Sequence, residues 1–95
     1  MAYYVYILKS LSDQSYYKGF TENPIIRLEQ HNNAESKYTS SKIPWKLVYL
    51  ECFEQKKDAL IREKRLKKYS HQQIEQLISS GKNCLSDLRT FISAG

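Results

Sequence analysis

The chain has 95 residues, with 15 Lys and Arg against 10 Asp and Glu, for a formal net charge of +5. That length allows one domain, because two cores cut from it would each bury too little surface to be stable. With 41% hydrophobic and 26% charged residues the composition is globular rather than disordered or fibrous, and no apolar run approaches the ~18 residues of a membrane-spanning helix. Met1 to Lys9 shows neither a basic leader nor a small-residue cleavage site, so no secretory signal is expected. Cys52 and Cys84 lack CxxC spacing and read as reduced thiols of a cytoplasmic protein, with no disulfide-linked partner and no zinc site.

Residues 3 to 9 are rich in β-formers around Val5, Ile7 and Leu8 and predict a first strand. Ser12 to Ser15 supply turn residues, and Tyr16 to Thr21 return as a second strand, making a hairpin. Alternation sets Tyr4 and Tyr6 on one face of the first strand, and Tyr17, Gly19 and Thr21 on one face of the second. A glycine inside a strand weakens it, so Gly19 marks a close approach of backbone or ligand. Of the chain's eight tyrosines, five (Tyr3, Tyr4, Tyr6, Tyr16 and Tyr17) fall in these two strands. Composition alone makes them half-buried strand residues.

Asn23-Pro24 opens a helix from Pro24 to about Asn32, with Asn as N-cap and Pro at the first helical position. Ile25 and Leu28 face its core, while Arg27 and His31, four residues apart, project together from another face. Asn33 to Pro44, rich in Ser, Lys and Thr, reads as an exposed loop. Trp45 to Phe53 predicts a third strand, with Leu47, Tyr49 and Glu51 on one face and Val48, Leu50 and Cys52 on the other. Trp45 reads as core and Cys52 as a strand residue without chemistry. Gln55 to Tyr69 predicts a second helix. Ser70 with Gln73 forms a capping box opening a third, His71 to Ser79, closed by Gly81. Leu85 to Ile92 could form a short last helix. The domain then spans 1–82, with 83–95 a C-terminal extension, and the order is β-β-α-β-α-α: an α+β fold with a small three-stranded sheet flanked by helices.

The charge is concentrated on the second helix. Between Lys56 and Lys68 stand seven cations (Lys56, Lys57, Arg62, Lys64, Arg65, Lys67, Lys68) against Asp58 and Glu63, as large an excess as that of the whole chain. A basic cluster on one element is the footprint of a nucleic-acid binder, and the plainer alternative is a solvated helix face. Glu63 is the anomaly: it lies on the stripe formed by Ala59, Leu60 and Leu66. An inward carboxylate needs a partner, either a buried Arg or Lys or a metal ion.

Together, Tyr4-Val5-Tyr6, then Tyr17-Lys18-Gly19, then Arg27 and His31 on a helix, then Glu63 within Ala59 to Lys67, resemble the GIY-YIG nuclease domain. More narrowly they resemble small stand-alone bacterial members reading "YYVYILKS", "YY-G-T-N---RL--HN", "P-KLVY-E-F" and "A--REK-LK" in order. The likeness covers residues 3 to 69. Two positions depart from the pattern: Tyr4 stands where the first motif has glycine, and Lys18 where the second has an aliphatic residue. The downstream asparagine of some larger members has no counterpart.

The resemblance implies a metal-dependent endonuclease, a hydrolase of DNA phosphodiester bonds, with a divalent metal (Mg²⁺ or Mn²⁺) on Glu63. It implies that Tyr6 activates the attacking water, Tyr17 hydrogen-bonds phosphate or water, Arg27 neutralises charge on the phosphate and His31 assists proton transfer. An unperturbed tyrosine titrates at ~10, so a base role for Tyr6 requires a pKa lowered by nearby Arg, Lys or metal, which Arg27 and the Lys56 to Lys68 cluster are expected to supply. Lys37, Tyr38, Thr39 and Lys42 in the loop, and Lys64, Lys67 and Lys68 on the helix, are the candidate DNA contacts. The implied substrate is double-stranded or branched DNA, in repair or recombination. With no room for a separate DNA-reading domain, little sequence specificity is expected unless a protein partner or second copy supplies it. The alternative is a non-catalytic binding module using the basic 56–68 helix.

Overall fold

A computed structural model of the chain describes residues 2–35 and 37–80. A three-stranded antiparallel sheet forms the centre, built from β1 (Tyr3–Ser10), β2 (Tyr16–Thr21) and β3 (Trp45–Phe53) in the order β2-β1-β3. Helix α1 (Pro24–Asn32) and a one-turn helix α2 (Lys37–Ser40) lie between β2 and β3, and α3 (Lys56–Leu66) and α4 (His71–Ser79) follow β3. The expected order and the three expected helices are present, with α2 added. The expected closing Gly81 and the helix over 85–92 lie outside the described residues.

β1 is the middle strand, and Val5, Tyr6, Ile7 and Leu8 are all buried. Both faces of this strand are covered, so its apolar run is continuous where an edge strand would alternate. On one face Tyr6, Leu8, Trp45 and Leu50 form a core with Tyr4, Tyr17, Leu28, Ile43 and Leu47. On the other, Val5, Ile7 and Tyr49 meet Ala59 and Leu66 of α3 and Ile74 of α4. Two predicted details differ here. A register shift between Ile7 and Leu8 pairs Ile7 with Tyr49 but Leu8 with Leu47. The extra residue, Val48, turns Leu47 to the Leu50 side and leaves Val48 against the Tyr49 core. Leu60, expected on the inward stripe, is 39% exposed, and α3 buries only Ala59 and Leu66.

Local signals set the helix starts. The Asn23 side chain accepts from the Ile26 backbone N–H with Pro24 at the first position, and Ser70 and Gln73 close a full capping box on α4. Each such cap stabilises its helix by about 1 kcal/mol. α3 has no side-chain cap and is fixed by tertiary contacts instead. Arg62 Nε lies 3.1 Å from Glu51 Oε2 of β3, the Tyr49 hydroxyl donates to the same carboxylate, and the Arg62 guanidinium lies 5.9 Å from the centre of the Tyr69 ring. These contacts tie α3 to β3 at Arg62, the residue before Glu63. No helix among the described residues is long and apolar enough to cross a membrane.

Candidate active site

The antiparallel register brings the two tyrosine motifs together. Tyr6 pairs with Gly19 and Leu8 with Tyr17, so Tyr6 and Tyr17 rise from the same face with ring centres 6.2 Å apart. The close approach that Gly19 signalled is to Tyr6: a Cβ built on Gly19 would stand 2.5 Å from Cζ and 2.8 Å from Cε1 of that ring. No side chain fits there while Tyr6 keeps its place.

Helix α1 crosses this face and delivers two residues to one oxygen. Arg27 Nε donates to the Tyr6 hydroxyl at 3.4 Å, and His31 Nε2 lies 3.0 Å from the same oxygen. The i, i+4 spacing of Arg27 and His31 places both over Tyr6. The Arg27 fork is also held by Gln30 Oε1 at 3.0 Å and by Tyr17. The Tyr17 ring lies 4.9 Å from the His31 ring.

Burial sets the protonation of this group. His31 is fully buried, and its pKa is lowered to about 4 by desolvation and by the Arg27 charge, so it is neutral at pH 7. Tyr6 is 2% exposed, and burial pushes its pKa up to about 12 against the lowering hydrogen bond from Arg27. The lowered pKa expected for a base role is therefore not found: loss of water around the phenol outweighs the Arg27 charge beside it. The Tyr6 oxygen accepts from Arg27, and its own O–H donates to His31 Nε2 in the tautomer that carries the imidazole proton on Nδ1. The other ring nitrogen of His31 lies 2.8 Å from Thr39 Oγ1.

Glu63 approaches from α3, near enough for its charge to act on Tyr6. Its side chain is 18% exposed and lies 3.5 Å from Lys67 Nζ, so the expected partner exists but is an exposed lysine one turn on. Among the described residues no three His, Cys, Asp or Glu side chains gather. A metal here would take one carboxylate from the protein and its other ligands from water and phosphate, all hard oxygens. That donor set suits Mg²⁺ or Mn²⁺, which keep much of their hydration and bridge to substrate phosphate.

The candidate DNA contacts divide. Lys64, Lys67 and Lys68 are exposed on or just beyond α3. Lys42 is turned to the hairpin, 3.4 Å from Asp13 Oδ2 and 3.3 Å from Ser15 Oγ. The Lys37 and Tyr38 side chains lie outside the described residues. Thr39 needs correction as a DNA contact: it is fully buried against His31. Asn33, Ala34, Glu35 and Ser41 of the expected loop are exposed, but Thr39 turns inward, where the buried Trp45 indole meets it. Trp45 Nε1 donates to the Thr39 carbonyl at 2.9 Å, and Asn32 Oδ1 and Nδ2 bracket the Trp45 backbone at 2.6 and 3.1 Å. Composition hid this, although a tryptophan directly after a polar segment was the available signal. Lys18, not among the sequence candidates, lines a cavity of about 330 Å³ with Tyr16, Tyr17 and Lys67, beside the tyrosine pair.

The GIY-YIG catalytic domain family model matches residues 2–76. A UPF0213 protein of Clostridium perfringens is 50% identical over 78 residues, 81% of this chain and 83% of that one. One of Haloquadratum walsbyi is 40% identical over 80 residues, covering 83% and 89%. The solution NMR structure of a UPF0213 protein from Bacillus halodurans superimposes with a TM-score of 0.57 at 35% identity, covering 86% of this chain and 87% of that one. The motifs, the sheet that pairs them and these relatives agree: the chain belongs to the GIY-YIG catalytic domain family, a nuclease superfamily, and within it to the UPF0213 proteins.

Proposed function

We propose that this protein is a metal-dependent endonuclease that hydrolyses DNA phosphodiester bonds with little sequence specificity. The observation that carries the reading is the convergence of Arg27 and His31 on the Tyr6 hydroxyl, beside Tyr17 and within the field of Glu63.

A phenol with a pKa near 12 is a poor free base but a good relay. Tyr6 takes a proton from the attacking water while passing its own to the bare Nε2 of neutral His31, so no tyrosinate is formed. The hydroxide adds to phosphorus and the bond to the leaving sugar oxygen breaks. Arg27 remains charged throughout and faces the non-bridging oxygens, where negative charge grows. Tyr17 orients the phosphate. A divalent ion on Glu63 would supply Lewis-acid stabilisation of the phosphate and the leaving oxygen. Anionic substrate beside His31 raises its proton affinity at the moment it is used. The exposed Lys64, Lys67 and Lys68 hold the backbone alongside, through charge rather than base edges.

Supercoiled plasmid and branched DNA incubated with the protein, in Mg²⁺ or Mn²⁺ and in EDTA, test this reading. Metal-dependent nicking lost in both Glu63→Ala and Arg27→Ala is the expected result. Equal activity in wild type and Glu63→Ala would contradict the assignment, and tight DNA binding without any cleavage would favour a binding module.

A further inference from the structure

The relay needs one tautomer of His31. A neutral imidazole carries its proton on either ring nitrogen, and only the Nδ1–H form presents a bare Nε2 to the Tyr6 hydroxyl. In the Nε2–H form the Tyr6 oxygen would be the acceptor at this contact, and the imidazole could take no proton from it. Burial of His31 removes water as a means of adjusting this, so the choice falls to whatever faces Nδ1.

What faces it is Thr39 Oγ1, at 2.8 Å, on the one-turn helix α2. Thr39 is itself fully buried, and its backbone is held as well as its hydroxyl. Its carbonyl accepts from the Trp45 indole, and Trp45 is tied to Asn32, the residue after His31, through both backbone groups. The hydroxyl is thereby fixed relative to the helix that carries the imidazole. No buried side-chain nitrogen or oxygen among the described residues lacks a partner, so the row Arg27, Tyr6, His31, Thr39 is complete from end to end.

We propose that Thr39 is a positioning residue: by accepting the Nδ1–H of His31 it holds the imidazole in the tautomer whose Nε2 receives the Tyr6 proton. Its kinetic consequence rests on the hydrolytic reading above, but the tautomer itself does not. The usual acceptors behind a histidine whose tautomer matters are a carboxylate or a backbone carbonyl. A hydroxyl adds no charge that would raise the imidazole pKa, and it favours the Nδ1–H form when its own proton goes to another acceptor.

The test is a long-range ¹H–¹⁵N spectrum of the full chain at pH 7, with the two histidines distinguished by His71→Gln. Wild type should show a pyrrole-like Nδ1 and a pyridine-like Nε2 at His31. Thr39→Val should mix the tautomers or reverse them, and Thr39→Ser should restore the wild-type pattern. On plasmid DNA the Val variant should lose roughly tenfold to a hundredfold in kcat at unchanged KM, with recovery in the Ser variant. A wild-type spectrum with Nε2–H at His31, or a folded Thr39→Val with an unaltered tautomer, would overturn the proposal. The wild-type spectrum decides the tautomer even where Thr39→Val does not fold. Absence of cleavage by the wild type, with the tautomer as stated, would count against the hydrolytic reading and not against the tautomer lock.

Discussion

Tyr6 and Gly19 face each other across the β1–β2 register, and the tyrosine ring fills the space where a Cβ on residue 19 would stand. The second motif's glycine thus serves the first motif's tyrosine: it lets the phenol lie flat against the neighbouring strand with its oxygen under α1. The ring is 2% exposed and tied to Arg27 and His31, so it has nowhere to swing.

Gly19→Ala should therefore lower stability by about 1–3 kcal/mol through overpacking. It should also reduce kcat by up to ~10²-fold by shifting the Tyr6 hydroxyl. Denaturant midpoints and nicking rates measure the two effects. Wild-type behaviour in both would show that the ring adjusts freely and that the close approach has no consequence.

The buried neutral His31 makes stability depend on pH in a defined direction. Its folded pKa, about 4, lies below the ~6.5 of an unfolded-state imidazole, so acid protonates the unfolded chain first. The contribution is fully present above pH 6.5 and is lost as the pH falls toward 4, amounting to about 2 kcal/mol by pH 5. Urea midpoints at pH 7 and pH 5 should show this loss in wild type and not in His31→Gln. Equal losses in both would assign the acid sensitivity elsewhere. The acid limb of kcat/KM, which reports the free enzyme, should fall correspondingly low, nearer pH 4 than 6.5, and that of kcat should lie higher because bound phosphate raises the His31 proton affinity.

On the proposed reading, the basic face of α3 holds DNA through charge. Replacing Lys64, Lys67 and Lys68 with Gln should weaken DNA binding to a similar degree for all sequences. Each phosphate contact removed should flatten the plot of log K against log salt by about 0.9. Fluorescence anisotropy across a salt series measures it, and an unchanged slope would exclude this helix as the phosphate contact. Lys67 also lies 3.5 Å from Glu63, so its replacement removes the ammonium beside that carboxylate.

Much of this was legible in the sequence because the signals are local. Asn23-Pro24 and the Ser70–Gln73 box carry their capping chemistry within four residues, and both helices start where those residues say. The tyrosine alternation fixes which hydroxyls share a face, and the spacing of Arg27 and His31 places both over that face. What the sequence did not reveal depends on contacts made from far along the chain. The shift that turns Leu47 over exists only in the pairing of β3 with β1. Thr39 sits in a polar stretch and is buried by Trp45 and His31, six and eight residues away. The raised pKa of Tyr6 follows from how completely α1 and the sheet exclude water around it, which no residue pattern records.

The central claim is that the Tyr6 hydroxyl moves the proton of the attacking water. The most direct measurement compares wild type and Tyr6→Phe for initial nicking of supercoiled DNA in Mn²⁺, with DNA affinity and folding measured on the same samples. Removing the hydroxyl takes away one oxygen and leaves the ring in its packing, so binding should stay within about threefold while cleavage falls by ~10²-fold or more. Cleavage by Tyr6→Phe at the wild-type rate would contradict the account.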